Sequence, residues 1–247
     1  MSGSPLVSDK LVIVSPGGHK DRSLVAYEKL TGKFVWGGGT EGAGYSSPCL
    51  ATIGRAQQVL IFNSGNLAAH DPQTGKVLWK FPWPGGHPHV AMPVVAPNDR
   101  VLVSSGYGTG SALLQIQRDG AGEWTASKLW KTIRLKAKFT NLILLDGYIY
   151  GLDDGILVCL DLATGELKWK EGRYGHGQEI LAGKLLLLMA ENGEVLLLEP
   201  VPDEPRVLAR FPALRGKTWN PHALAGPYLL VRNDVEAACY RLPLAKP

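Results

Sequence analysis

One eleven-residue phrase returns along this chain with its parts in the same order. It reads Ala26-Tyr27-Glu28-Lys29-Leu30-Thr31-Gly32-Lys33-Phe34-Val35-Trp36, then Ala69-His70-Asp71-Pro72-Gln73-Thr74-Gly75-Lys76-Val77-Leu78-Trp79, then Cys159-Leu160-Asp161-Leu162-Ala163-Thr164-Gly165-Glu166-Leu167-Lys168-Trp169. Repetition at spacings of about 40 residues marks a propeller or a solenoid. Each part has a structural duty. The Thr-Gly pair suits a hairpin, because glycine takes positive φ without steric cost and the residues after it alternate back into a strand. The acid before the turn accepts hydrogen bonds from the turn's own amides. The tryptophan offers a large apolar plate to a neighbouring sheet.

Parsed around this phrase, the chain is expected to be all-β: a β-propeller of four-stranded antiparallel blades, in one domain over 1–247, an architecture shared with WD40-type propellers. Six blades are expected over 5–36, 45–79, 90–130, 139–169, 178–211 and 220–244. In the first, Pro5-Leu6-Val7, Leu11 to Val14, Leu24 to Glu28 and Phe34 to Trp36 are the strands. The third carries an enlarged hairpin at Arg118-Asp119-Gly120-Ala121-Gly122, and the fifth replaces Thr-Gly by Val201-Pro202-Asp203-Glu204-Pro205, with Arg210-Phe211 near the tryptophan place. The sixth stops before its outermost strand, so an incomplete or partner-completed propeller, part of an eight-bladed ring or open to self-association, is expected over a closed six-blade ring whose last blade N-terminal residues complete. Composition agrees: thirty glycines and seventeen prolines spread along 247 residues fit frequent turns.

A net charge of +4 is small for this length and argues against a global field for nucleic acid. No apolar run reaches the roughly 18 residues that span a bilayer. The start, Met1-Ser2-Gly3-Ser4, has neither the basic nor the apolar region of a signal peptide. Cys49, Cys159 and Cys239 fall in three different blades in apolar surroundings and are expected to be buried small hydrophobes.

The phrase Ala/Cys-x-Asp/Glu-x-x-Thr-Gly-x-x-x-Trp resembles the repeat of the pyrroloquinoline-quinone (PQQ)-like β-propellers, the quinoprotein fold of alcohol dehydrogenases and of the outer-membrane assembly lipoprotein of the Bam complex. Ser4-Pro5-Leu6-Val7, Val14-Ser15-Pro16-Gly17-Gly18, Gly44-Tyr45-Ser46-Ser47-Pro48 and Ser105-Gly106-Tyr107-Gly108-Thr109-Gly110 are similar to segments of the PQQ-binding-like repeat proteins of planctomycete-type bacteria. The resemblance implies the fold, further blades and an exported, periplasmic address; activity does not follow from a fold that hosts many functions.

In a propeller the loops between second and third strands and the crossings between blades emerge on one face, at the mouth of the channel, where a site is expected. The candidates for ligand or partner binding there are His19, Tyr45, Trp83, His87, His89, Tyr107, Asp153, Arg173, Tyr174, His176 and Trp219. His87-Pro88-His89 places two imidazoles on one extended segment, able to share a metal with His176 or His222 as a third ligand, against the plainer reading of solvated or packing histidines. Asp153-Asp154 with Glu191 offers carboxylates for calcium, though Asp-Asp-Gly is also ordinary turn chemistry. Lys131, Arg134, Lys136 and Lys138 form a basic run read as a solvated face. Trp36, Trp79, Trp130 and Trp169 are read as structural; Trp83 and Trp219, off the repeat position, either belong to an exposed binding surface or pack over the channel mouth. A quinoprotein dehydrogenase needs a calcium or lanthanide ligand set, a carboxylate base and, often, an adjacent-cysteine pair; no Cys-Cys, Gly-x-Ser-x-Gly, His-Glu-x-x-His or phosphate-binding glycine loop occurs here. The expected function is therefore a non-enzymatic scaffold without cofactor, binding a protein or a small-molecule or saccharide ligand at that face. The alternatives are a PQQ- and calcium-dependent oxidoreductase or a fragment of one, and a saccharide- or metabolite-binding domain using Trp83, Tyr107, Tyr174 and Trp219.

Overall fold

The computed structural model describes residues 3–18 and 20–243, and none of these is helical, so no helix is long and apolar enough to cross a membrane. Two compact units, Met1–Lys136 and Ala137–Pro247, each hold three antiparallel sheets.

In the first unit, one sheet is β1 (Leu6–Val7), β2 (Leu11–Val14), β3 (Leu24–Glu28) and β4 (Phe34–Gly38). The next is β5 (Cys49–Ile53), β6 (Ala56–Phe62), β7 (Asn66–His70) and β8 (Val77–Pro82). The third is β9 (Val94–Ala96), β10 (Arg100–Ser105), β11 (Gly110–Arg118) and β12 (Trp124–Thr132). The second unit holds β13 (Ile143–Leu145), β14 (Tyr148–Asp153), β15 (Ile156–Asp161) and β16 (Leu167–Glu171), then β17 (Gln178–Ala182), β18 (Leu185–Met189), β19 (Glu194–Glu199) and β20 (Arg206–Pro212). Its last sheet has three strands among the described residues, β21 (Ala223–Ala225), β22 (Tyr228–Arg232) and β23 (Ala237–Arg241). All six are meanders in which each strand pairs with its sequence neighbour. These are the blades of a β-propeller.

The middle strands read as unbroken apolar runs because both of their faces are covered. In β6, Leu60 and Phe62 pack towards the β9–β12 sheet with Val101, Val103 and Leu114, while Val59 and Ile61 pack towards the β1–β4 sheet with Ile13 and Leu24. In β18, Leu186 and Leu188 join Leu152 and Leu157, while Leu187 and Met189 join Leu229 and Val231. Alternation thus sorts side chains between two apolar neighbours rather than between core and water.

The repeated phrase is a turn with a keystone. Asp71 Oδ1 accepts from the amides of Gln73 (3.0 Å) and Thr74 (2.8 Å) and from the Thr74 hydroxyl (2.9 Å); Asp161 does the same for Ala163 and Thr164. Gly75 sits at φ +74°, where an L side chain is strained, and a Cβ there would collide with the ring of Trp36 from the preceding sheet. The Trp36 indole N–H donates to Pro72 O in the same turn (3.1 Å), and Trp169 donates likewise to Val201 O (2.9 Å). Gly75 is thus required twice, by its own backbone and by the neighbouring sheet's tryptophan, whereas Gly32, at φ +70° with open space around it, answers only to its own backbone. Across each hairpin Trp36, Trp79 and Trp169 pair with Ala26, Ala69 and Cys159, each next to a β-bulge.

Two expectations are corrected. With the 200–205 loop in place of Thr-Gly, the residue at the tryptophan place, opposite Leu197 beside the bulge, is Ala209; Phe211 pairs with Val195 and packs edge-on against Tyr240 at 5.0 Å. Among the cysteines, Cys159 is buried and Cys49 partly so, and burial pushes both thiols up to about 11, but Cys239 on β23 is exposed.

Candidate functional site

Within each unit the loops between second and third strands are tied by backbone hydrogen bonds to the crossings that join successive sheets. In the first, Gly18 donates to Glu41 O (3.0 Å), Ser64 to Gly42 O (3.0 Å) and Trp83 to Gly65 O (3.0 Å). In the second, Tyr174 donates to Gly155 O (2.7 Å), Glu191 to Tyr174 O (2.8 Å) and Thr218 to Glu191 O (2.8 Å). Side chains on these segments therefore stand on fixed backbone.

His19 lies outside the described residues. The other candidates in the first unit separate into two layers. Trp83 is buried, with its indole N–H on Ser105 Oγ at 2.9 Å and its ring edge-on to Phe62, so it belongs to the core rather than to an exposed surface. His89 is buried as well: its ring stacks on Phe62 at 4.3 Å, and its two nitrogens face Asn63 O (2.6 Å) and Pro84 O (3.0 Å). Both nitrogens face backbone carbonyls within the core, so His87 and His89 do not converge on one metal position. His87 points the other way, exposed, and stacks on Tyr107 with ring centroids 4.6 Å apart and planes 9° from parallel. Tyr107 holds this position at φ +56°, a conformation uncommon for a bulky side chain. Tyr45, 47% exposed, is fixed by its amide on His89 O (2.7 Å).

In the second unit Asp153 is buried and paired with the Lys170 ammonium, while Asp154 is exposed in a turn at φ +47°. Glu191 Oε2 accepts the His176 amide at 2.8 Å. That bond, helped by hydrogen bonding from the Trp219 side chain and by the Lys217 charge, holds the carboxyl below its ordinary range. The three carboxylates are thus not gathered for calcium, and among the described residues no three His, Cys, Asp or Glu side chains are disposed to hold a metal ion. Arg173 is exposed; Tyr174 is half-buried against the Leu152–Leu188 cluster.

His176 and Trp219 come together with a residue that was not singled out from the sequence, Phe139. The three rings are mutual neighbours: Phe139–His176 at 4.9 Å, Phe139–Trp219 at 5.4 Å and His176–Trp219 at 5.4 Å. Each stands six residues before the last residue of its sheet's first strand, Leu145, Ala182 or Ala225, and that shared register is the sequence signal. The buried Gln178 amide donates to Phe139 O (2.8 Å) and Trp219 O (3.2 Å), drawing the crossings together. Burial lowers the His176 pKa. Next to this cluster in the chain, Glu179 on β17 is buried with neither oxygen hydrogen-bonded; the Thr140 hydroxyl approaches it but donates to Asn141 O (3.2 Å). Burial pushes the Glu179 carboxyl up to about 8.

Residues 1–171 match the family model described as outer membrane protein assembly factor BamB, with its PQQ-type repeats. The chain belongs to this family. A quinoprotein ethanol dehydrogenase of Pseudomonas aeruginosa is 33% identical over 99 residues, and the match spans 34% of this chain and 15% of that protein's length. Among solved structures, BamB from Moraxella catarrhalis superposes with a TM-score of 0.68 at 19% identity, over 95% of this chain and 67% of that one. The computationally designed protein Ika8 gives 0.71 at 12% identity, over 97% of this chain and 70% of its own. The two structural likenesses establish the fold.

Proposed function

We propose that this chain is a non-enzymatic propeller scaffold that engages a protein partner through its loop-rich face. The observation that carries this reading is the chemistry of that face. In each unit aromatic groups of the crossings and loops reach solvent, Tyr45 and the His87–Tyr107 stack in the first and Trp219 in the second, whereas in the second unit Asp153 is tied down by Lys170 and Glu191 by the His176 amide. Exposed aromatics on fixed backbone are the composition of interface cores. Membership of a family described as a membrane protein assembly factor supports the same reading.

The match to a quinoprotein ethanol dehydrogenase favours a second reading, PQQ-dependent oxidation. Its residue requirements fit poorly. The carboxylates that would carry calcium and a general base are engaged by internal donors, and the three cysteines stand far apart in sequence. The experiment is paired. The full chain is incubated with PQQ, calcium and an alcohol, and dye reduction and thermal stability are followed. In parallel it is chemically cross-linked in its native host and the linked peptides are mapped. Linked peptides on the crossings with no dye reduction support the scaffold; turnover, or calcium-dependent stabilisation with PQQ, overturns it.

A further inference from the structure

Three successive crossings of the second unit bring Phe139, His176 and Trp219 into one cluster, and the same crossings carry Lys138, Arg173, Arg215 and Lys217 with no Asp or Glu in 137–142, 172–177 or 213–222. We infer that this cluster is the docking point for an acidic peptide segment of a partner protein, one that inserts a single aromatic side chain beside Trp219 and places carboxylates on the flanking cations. This deepens the scaffold reading and rests on it.

The geometry is built rather than incidental. A single buried amide, Gln178, holds the backbones of Phe139 and Trp219 at 2.8 and 3.2 Å, so the rings are pre-positioned and little order has to be imposed on binding. The surface is graded: Trp219 is 39% exposed, while Phe139 and His176 are half-buried behind it. That is the footprint of one side chain, not of a plane of headgroups. Lys217 holds its ammonium 3.5 Å from the centroid of Trp219, and Lys138 lies 5.5 Å from that of Phe139, so positive charge borders the aromatic surface. The carboxylates at the cluster already have partners within the protein: Glu191 takes the His176 amide and the Trp219 side chain, Glu236 takes the Arg215 amide, and the Asp154 charge acts on His176. With these carboxylates engaged internally and Lys138, Arg173, Arg215 and Lys217 on the crossings, the surround is the complement of an acidic segment.

The test uses the full chain and a fluorescein-labelled peptide of alternating Asp and Glu around one Phe, read by fluorescence anisotropy. Lys138→Glu combined with Lys217→Glu, and separately Trp219→Ala, are each expected to weaken binding about tenfold or more, as expected for losing about 1.4 kcal/mol of interaction. Binding should weaken with salt and with Phe→Ala in the peptide, and Lys184→Ala, in the exposed turn between β17 and β18, should leave it unchanged. Lys217 is exposed and Lys138 half-buried, so the melting temperature of the charge-reversed protein is measured beside its affinity, and a loss of binding at an unchanged melting temperature is not a loss of fold. Equal affinity in the charge-reversed protein, indifference to the peptide's Phe, or binding of phosphatidylglycerol vesicles in place of the peptide would each overturn the inference. Partner cross-links that stay on the crossings of the charge-reversed protein would refute this site and leave the scaffold reading standing; cross-links on the opposite turns would refute the scaffold reading itself.

Discussion

The keystone contact between Trp36 and Gly75 can be measured as a coupling. Trp36 is 5% exposed. A tryptophan burying about 200 Å² at about 25 cal/mol per Å² contributes about 5 kcal/mol, and large-to-small core changes of this kind cost about 3 to 5 kcal/mol. Trp36→Ala should therefore cost about 4 kcal/mol, part of it from leaving Pro72 O without its donor. Gly75→Ala should cost about 3 kcal/mol: about 1 for a left-handed alanine and about 2 for its methyl group pressing into the Trp36 ring. In the double variant the ring is gone and the collision with it, so the total should be about 5 rather than 7 kcal/mol, a coupling of about 2 kcal/mol. Urea melts followed by circular dichroism on all four proteins give the cycle. Additivity to within about 0.5 kcal/mol would show that the glycine answers only to its own φ and that the tryptophan does not rest on the turn.

Further predictions concern charge and turn chemistry. Because the folded-state pKa of Glu179 is raised to about 8, its stabilising contribution is whole below the ordinary carboxylate range, near 4.5, and is lost as pH rises towards 8. Glu179→Gln should flatten the alkaline limb of stability against pH and raise the melting temperature at pH 9; an unchanged limb would contradict the burial. His222 acts at the other end: burial lowers its pKa, so its contribution is present above the ordinary histidine range and is lost as pH falls below it. His222→Gln should reduce the loss of stability between pH 7 and 5 seen in melts. Asp161→Ala removes three accepted hydrogen bonds in the repeat turn and should cost about 1 to 2 kcal/mol in urea, with Asp161→Asn costing less.

The fold was legible because its determinants are local. A turn acid, a positive-φ glycine and a tryptophan recur at fixed spacing, and each acts within eleven residues or on the adjoining sheet. Where the local signal changes, in the 200–205 loop, the tryptophan place falls on Ala209, just before the Arg210-Phe211 pair near which it was expected. The site was legible only in part. Trp83 and Trp219 look alike in sequence, both off the repeat position, and only packing buries the one against Phe62 and leaves the other exposed. His87 and His89 separate for the same reason, since an extended backbone does not fix which ring meets Phe62 and which meets Tyr107. Phe139 stands in no motif of the sequence; its place in the cluster depends on register across three sheets, which becomes visible once each first strand's end is known.

The central claim, a scaffold working through its loop-rich face, is tested most directly by placing a photo-cross-linking residue at single positions and irradiating the full chain in its native host. The account predicts discrete protein adducts from Tyr45, His87 and Arg173 on the crossings, and none from Asp99, Asp146 or Lys184 in the turns between first and second strands. Adducts from the turn positions, or from none of the six, would contradict it.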